Sequence, residues 1–362
     1  MASTAASTRS ERRTGLLMVA PAVALLLLFL ATPFAASFYF SFTDQRLASP
    51  NPTSYVGVDQ FDRLLSFEWV TLSPSVDENG DYVRNEDGGL VYPLRETIRN
   101  NPENPQFDGL QKWFSIPRGD DKRTYFLVGD LLFVKSMINT IFFAGVVVPV
   151  QSALGLVLAL LVNQKLRGIN IFRAIYFMPV VTAMVVISIL WRFIYDAENG
   201  LLNSVLDWFT FGGITGTDWL GDTTSAMPAM MGMSIWQAVG LHMVIWLAGL
   251  QTIPGVLYEA ASIDGASRWA QFRHVTWPGL RATRVFIIIT ITIAAFGLFT
   301  QVDVMTNGGP LDSTSSVIFY AVRQGWSQQN IAYGSAISLV FFVMVLAVAL
   351  VQRWLTREPK PT

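Results

Sequence analysis

Six long apolar runs punctuate the chain, at residues 16–40, 134–162, 169–194, 226–250, 285–302 and 331–351. A helix rises about 1.5 Å per residue, so each run is long enough to cross hydrocarbon about 30 Å thick. The pattern predicts an all-α polytopic membrane protein with six transmembrane helices. Residues 285–292 include an Ile/Thr alternation with a strand-like period. In lipid, however, a spanning segment must satisfy its own backbone groups, which decides for helix. The first run follows a small, polar stretch with Arg9, Arg12 and Arg13. A secretory signal has the same order, but its apolar part is only about 7 to 15 residues, and the longer run suits a retained span.

Basic residues fix the orientation. When six spans are threaded, Arg9, Arg12 and Arg13, then Lys165, Arg167 and Arg173, then Arg268, Arg273, Arg281 and Arg284, then Arg353, Arg357 and Lys360 all fall on one side. Residues 196–225, on the other side, carry acids and no Lys or Arg. The positive-inside rule therefore predicts cytoplasmic termini and a cytoplasmic loop around Glu259. The domain reading is a cytoplasmic tail (1–15), a first span (16–40), an extracytoplasmic insert (41–133), a core with five spans (134–355) and a second tail (356–362).

The insert breaks the pattern. Residues 66–130 are polar, with turn signals at Asn79-Gly80 and Asp87-Gly88-Gly89 and with Pro93, Pro102, Pro105 and Pro117. Residues 82–83 and 90–92 read as two short strands of a hairpin. A disordered linker and a small ordered lobe both fit this length. Phe67, Trp69, Trp113, Phe114, Tyr125 and Phe126 favour the lobe, since disorder is poor in aromatics. The aromatics and the external position predict a lobe that helps dock an outside partner.

Composition agrees with a bilayer protein: 52% of residues are hydrophobic and 14% charged, where a soluble domain has about 25% charged. The formal net charge of −1 points to no nucleic-acid partner. Cysteine is absent, which excludes disulfides and thiol chemistry.

The most informative polar stretch is 259–278, EAASIDGASRWAQFRHVTWP, between two apolar runs. A helix through Tyr258 and the small Ala260 and Ala261 should end at Asp264-Gly265, where glycine takes φ > 0 without steric cost. A second short helix follows, with Trp269, Phe272 and Val275 on one face within about 120° of arc. By composition alone this is a surface helical hairpin. Its residue order resembles the EAA loop of permease subunits in binding-protein-dependent ABC importers. Other segments are similar to the carbohydrate-uptake branch, which includes maltose and glycerol-3-phosphate permeases. They are the YVGVDQFDRLL segment at 55–65, Asn139-Thr140, Phe172-Arg173-Ala174 with Pro179, Trp191, Gly200 and Asn203, Gly308-Gly309-Pro310 with Thr314, and Tyr333-Gly334-Ser335-Ala336. Only 66–130 falls outside the resemblance.

The resemblance implies a membrane permease, not an enzyme, that lets a sugar, oligosaccharide or polyol phosphate through by alternating access. It implies a second permease subunit, two cytosolic ATPase subunits and an extracytoplasmic solute-binding protein, with surrounding membrane lipid. Carried over by position, Glu259, Ala260, Ala261, Asp264, Gly265, Ala266, Trp269 and Phe272 contact the ATPase. This chain would need no cofactor, ATP and magnesium residing on the ATPase; no G-x-x-x-x-G-K-[ST] phosphate loop occurs in it.

Two other classes compete. An ion-coupled secondary transporter usually places carboxylates deep in its spans, and these spans hold almost none. A membrane-anchored receptor would use the insert as its binding module, but has no need of a coupling hairpin between spans. With only His242 and His274, no multi-histidine metal site is expected. Candidate solute-path residues are Gln151, Trp236, Gln237, His242 and Tyr333, which offer hydrogen bonds and ring faces. Such side chains also serve to hold helices together in membranes.

Overall fold

Helices dominate the computed structural model, which describes residues 2–99, 101–102, 104–119, 121–164, 168–211, 213 and 216–356. Lys165, Arg167, Arg357 and Lys360 of the basic pattern lie outside the described residues, as do the side chains of Arg9, Arg12 and Arg13. In chain order the elements are α1 (Ala2–Leu26), a π turn (Leu27–Ala31), α2 (Thr32–Phe40), α3 (Asp59–Leu65), β1 (Phe67–Leu72), α4 (Leu94–Ile98), β2 (Gln111–Pro117) and β3 (Arg123–Val128). Then come α5 (Leu131–Val162), α6 (Ile169–Val181), α7 (Met184–Ile194), α8 (Leu201–Thr210), α9 (Ala226–Gln251), α10 (Gly255–Ile263) and α11 (Arg268–Gln271). A π turn (Phe272–Thr276), α12 (Trp277–Gly279), α13 (Arg281–Phe296), α14 (Thr300–Met305), α15 (Val317–Val322), another π turn (Arg323–Ser327) and α16 (Ile331–Leu355) complete the chain.

Four helical segments are long and apolar enough to cross a membrane: Thr14–Phe40, Leu131–Val162, Ala226–Gln251 and Ile331–Leu355. The number rises to six if each of two bent pairs counts as one span. The expected continuous helix over 169–194 is one such pair. It breaks at Thr182 and Ala183, whose ψ of 137° and 135° leaves the helical range, and α6 and α7 meet at 100°. Pro179, which lacks an N–H, sits in the last turn before the break. The run 285–302 is helical as expected but stops at Phe296; Gly297 ends α13, and α14 starts only at Thr300.

The chain divides into two compact units. The larger, 132–320 with 341–362, is built around α9, whose Met230, Met233, Met243 and Trp246 are almost fully buried. Small residues let its neighbours approach, as is common between membrane helices. Gly240 leaves no room for a Cβ against the Tyr176 carbonyl of α6, and Gly249 none against Thr283 of α13. On α5, Gly155 faces His242, and Trp246 Nε1 donates to the Ser152 carbonyl at 3.0 Å. Asn139 Nδ2 donates to the carbonyls of Asp312 and Ser315, and Thr140 Oγ1 accepts the Val317 N–H. The Asn139-Thr140 pair is thereby tied to the segment that follows Gly308-Gly309-Pro310.

The smaller unit, 1–131 with 321–340, contains an antiparallel sheet in the order β1-β3-β2. Phe67 pairs with Val128 and Trp69 with Phe126, while a bulge at Lys112–Phe114 interrupts the β2 register. One face packs Val70, Tyr125 and Leu127 on Phe107 and Leu110. This is an ordered lobe, and its strands are not those expected. The segments 82–83 and 90–92 form only isolated bridges, Val76 to Tyr82 and Arg84 to Leu90, although the turn between Asn85 and Gly89 is closed by backbone bonds.

Candidate functional site

The hairpin from α10 to α12 begins with an extended Pro254 and closes in a turn that satisfies its own backbone. Gly265 takes φ +73°. Its N–H donates to the Ser262 carbonyl, and the Ala266 N–H donates to the Ala261 carbonyl, which together form a Schellman motif. A Cβ at Gly265 would have no heavy atom of this chain within 4 Å. Ser267 caps α11 by accepting the Ala270 N–H. Gln271 Nε2 bridges the two arms, donating to Ser262 Oγ at 3.1 Å and to the Ala266 carbonyl at 3.2 Å. At the base, the Tyr258 and Thr276 hydroxyls lie 2.9 Å apart.

The aromatic face expected to dock is divided. Phe272 and Val275 pack on the core of their own unit, whereas Trp269 stacks on Phe272 and stays 69% exposed. The tip carries Glu259, Ala260, Asp264 and Gly265 exposed, with Ala261 and Ala266 half-buried. Ile263, at 86% exposure, adds apolar surface that the sequence pattern did not single out. The hairpin can offer a preformed tip with small, acidic and apolar groups to another protein.

The solute-path candidates separate. Gln151, Gln237 and His242 are buried, and Gln151 Nε2 donates to the Ser234 carbonyl at 3.4 Å. Trp236, on another side of α9, is exposed and meets Trp191 edge-on at 5.5 Å. Ser188 and Ser234 escaped the sequence reading, because a lone serine in an apolar run carries no signal. Their buried hydroxyls have no hydrogen-bond partner among the described residues. Tyr333 belongs to the lobe's unit and is fully buried there. Its hydroxyl donates to Asp130 Oδ2, and the Arg63 guanidinium sits 4.6 Å above its ring.

The family described as "Binding-protein-dependent transport system inner membrane component" matches residues 151–360. The trehalose/maltose transport system permease protein MalF of Thermococcus litoralis is 35% identical over 264 residues, 73% of this chain and 84% of that protein. The probable ABC transporter permease protein YurN of Bacillus subtilis is 33% identical over 228 residues, 62% of this chain and 78% of that protein. In fold, the chain is similar to one in the crystal structure of a bacterial ABC transporter that imports alginate. That match has a TM-score of 0.68 and 17% identity, covering 98% of this chain and 99% of that one.

Proposed function

Since this chain belongs to the family of inner membrane components of binding-protein-dependent transport systems, we propose that it is the permease subunit of an ABC importer for an oligosaccharide or related carbohydrate. Four intact helices, the bent α6–α7 pair and α13 make six spans, with both termini and the α10–α12 hairpin in the cytoplasm. A second permease shares the pathway, two cytosolic ATPases supply the energy with their own ATP and magnesium, and a binding protein delivers solute outside. The observation that carries this reading is the hairpin. It stands between α9 and α13, closes its turn with its own backbone bonds, and exposes Ile263 and Trp269, which none of the described residues covers. The partner that would cover them is the subunit that hydrolyses nucleotide for the permease, a reading that family membership supports.

Solute class rests on the sugars named for the relatives and on the buried groups of α5, α7 and α9. A polar atom buried without a partner is costly, and a hydroxyl-rich solute would satisfy Ser188 and Ser234 in passing. Gln237 lines the same path, and Trp236 meets it from the exposed side of α9.

The test is to assemble the chain with its partner permease, ATPases and binding protein in vesicles and screen ligands for stimulated ATP hydrolysis. Oligosaccharides should stimulate hydrolysis and uptake together. Uptake driven by an ion gradient without ATP would refute the reading and favour a secondary transporter.

A further inference from the structure

The face of the lobe's sheet opposite its core is left exposed by the described residues. It carries Phe67, Trp69, Trp113, Phe114 and Ile116, between 37% and 64% exposed, with Phe126 half-buried at the centre. The rings form one cluster: Trp69 lies 4.4 Å from Phe126, Trp113 5.4 Å and Phe114 5.3 Å. Within the three strands no charged side chain shares this face with them, and its one amide, Gln111, lies opposite Val128 at the end of the edge strand. Its hydroxyls, Thr71 and Thr124, lie 2.9 Å apart and hydrogen-bond each other. A sugar site needs several polar groups beside the rings to fix hydroxyls, and here only the Gln111 amide, at one end of the edge strand, is offered. An uncharged patch rich in Trp and Phe is instead suited to the boundary between water and acyl chains.

The root of the sheet shows which apolar surface is near. Two residues, Gly129 and Asp130, join β3 to α5, so Val128 lies at most about 11 Å from the first residue of that helix. Asp130 holds the Tyr333 hydroxyl in the first turn of α16, and the Ala332 N–H donates to the Gln45 carbonyl, five residues beyond α2. Ends of three candidate spans thus meet at the lobe's root. Aromatics continue there: Phe42, just past α2, lies 5.3 Å from Phe61 of α3 and stacks on the exposed Tyr55. Since the Phe67 end of β1 pairs with the Val128 end of β3, the aromatic cluster begins at this root.

We propose that the aromatic face of β1-β3-β2 lies on the outer leaflet of the bilayer, its rings in the headgroup–acyl boundary, so that the lobe rests on lipid and turns its polar hairpins away from it. The inference rests on reading α5 and α16 as spans, and the experiment separates the two.

The chain has no cysteine, so single cysteines can carry a nitroxide: Thr71→Cys on the aromatic face, Glu68→Cys on the other face of the same strand, and Ile141→Cys on the exposed side of α5. The whole transporter is placed in phosphatidylcholine–phosphatidylglycerol vesicles. Collisions with oxygen, which favours lipid, are compared with those of a water-soluble nickel complex. The label at 71 should show an oxygen-to-nickel ratio several-fold above that at 68 and approach that at 141. Ile116→Cys repeats the measurement on β2 should Thr71→Cys not assemble. A label at 71 as open to nickel as that at 68, while 141 reports lipid, overturns the proposal and leaves the spans standing. Shielding of 71 from both reagents, with or without binding protein, also overturns it and assigns the face to a protein contact. Nickel access at 141 would overturn the spanning role of α5 and the proposal with it.

Discussion

Replacing Gly265 tests the hairpin more sharply than any other change. At φ +73° a non-glycine residue costs roughly 1 to 2 kcal/mol. At about 1.4 kcal/mol per tenfold, strain alone lowers the population of the native turn relative to alternatives by roughly 5- to 30-fold. Nothing in this chain opposes the new side chain, because no atom lies within 4 Å of an added Cβ. A larger loss must therefore come from a surface on another protein. Asn tolerates the left-handed region better than Ala yet is bulkier. If docking decides, coupled transport falls in the order Gly, Ala, then Asn and Asp together, and Gly265→Asp leaves the chain inserted but uncoupled or without its ATPase. If strain alone decides, Asn outperforms Ala. The assay is uptake and ATP hydrolysis in the same membranes, with protein level checked by blot. Normal coupled uptake by well-expressed Gly265→Asp, or Asn surpassing Ala, would refute the assignment of this turn to the ATPase interface.

Alanine at both Trp236 and Gln237 should lower uptake and alter solute preference while ATPase attachment persists; unchanged uptake of every sugar in a competition assay would remove them from the path. Tyr333→Phe should cost about 1.5 to 3 kcal/mol, the range for a hydrogen bond to a charged group, seen as faster proteolysis within the lobe's unit without lost ATPase binding. Burial raises the pKa of Tyr125 above its ordinary value of 10. The folded lobe therefore keeps a proton that the unfolded chain gives up, so this contribution to stability is intact below pH 10 and is lost as pH rises through the folded value. Tyr125→Phe should flatten the alkaline loss of lobe stability, measured as protease resistance across that range.

The apolar runs announced the long helices because a bilayer demands length and little else. The bend between α6 and α7 was hidden: Pro179 is compatible with a continuous span, and only the non-helical ψ of Thr182 and Ala183 reveals the break. The sheet was missed for a different reason. Both of its faces are apolar, one buried on Phe107 and one bearing exposed rings, which erases the period-2 alternation by which a half-buried strand is recognised. The glycine turn was legible because φ > 0 leaves few residue choices. That Phe272 and Val275 pack on their own unit was not, since periodicity names a face and not its neighbour. Tyr333 shows the same limit: its partner Asp130 is 203 residues away.

The bonds that close the hairpin also bear on how fast two subunits can meet. A loop that orders only on contact spends part of its binding free energy on lost conformational freedom, and its association waits on folding. Here the Schellman turn, the Ser267 cap and the Gln271 bridge are already made in the free chain. On the proposed reading the tip would meet its groove as a finished shape, so encounter would be limited by diffusion and orientation, and the full contact energy would remain for holding on while the other subunit moves.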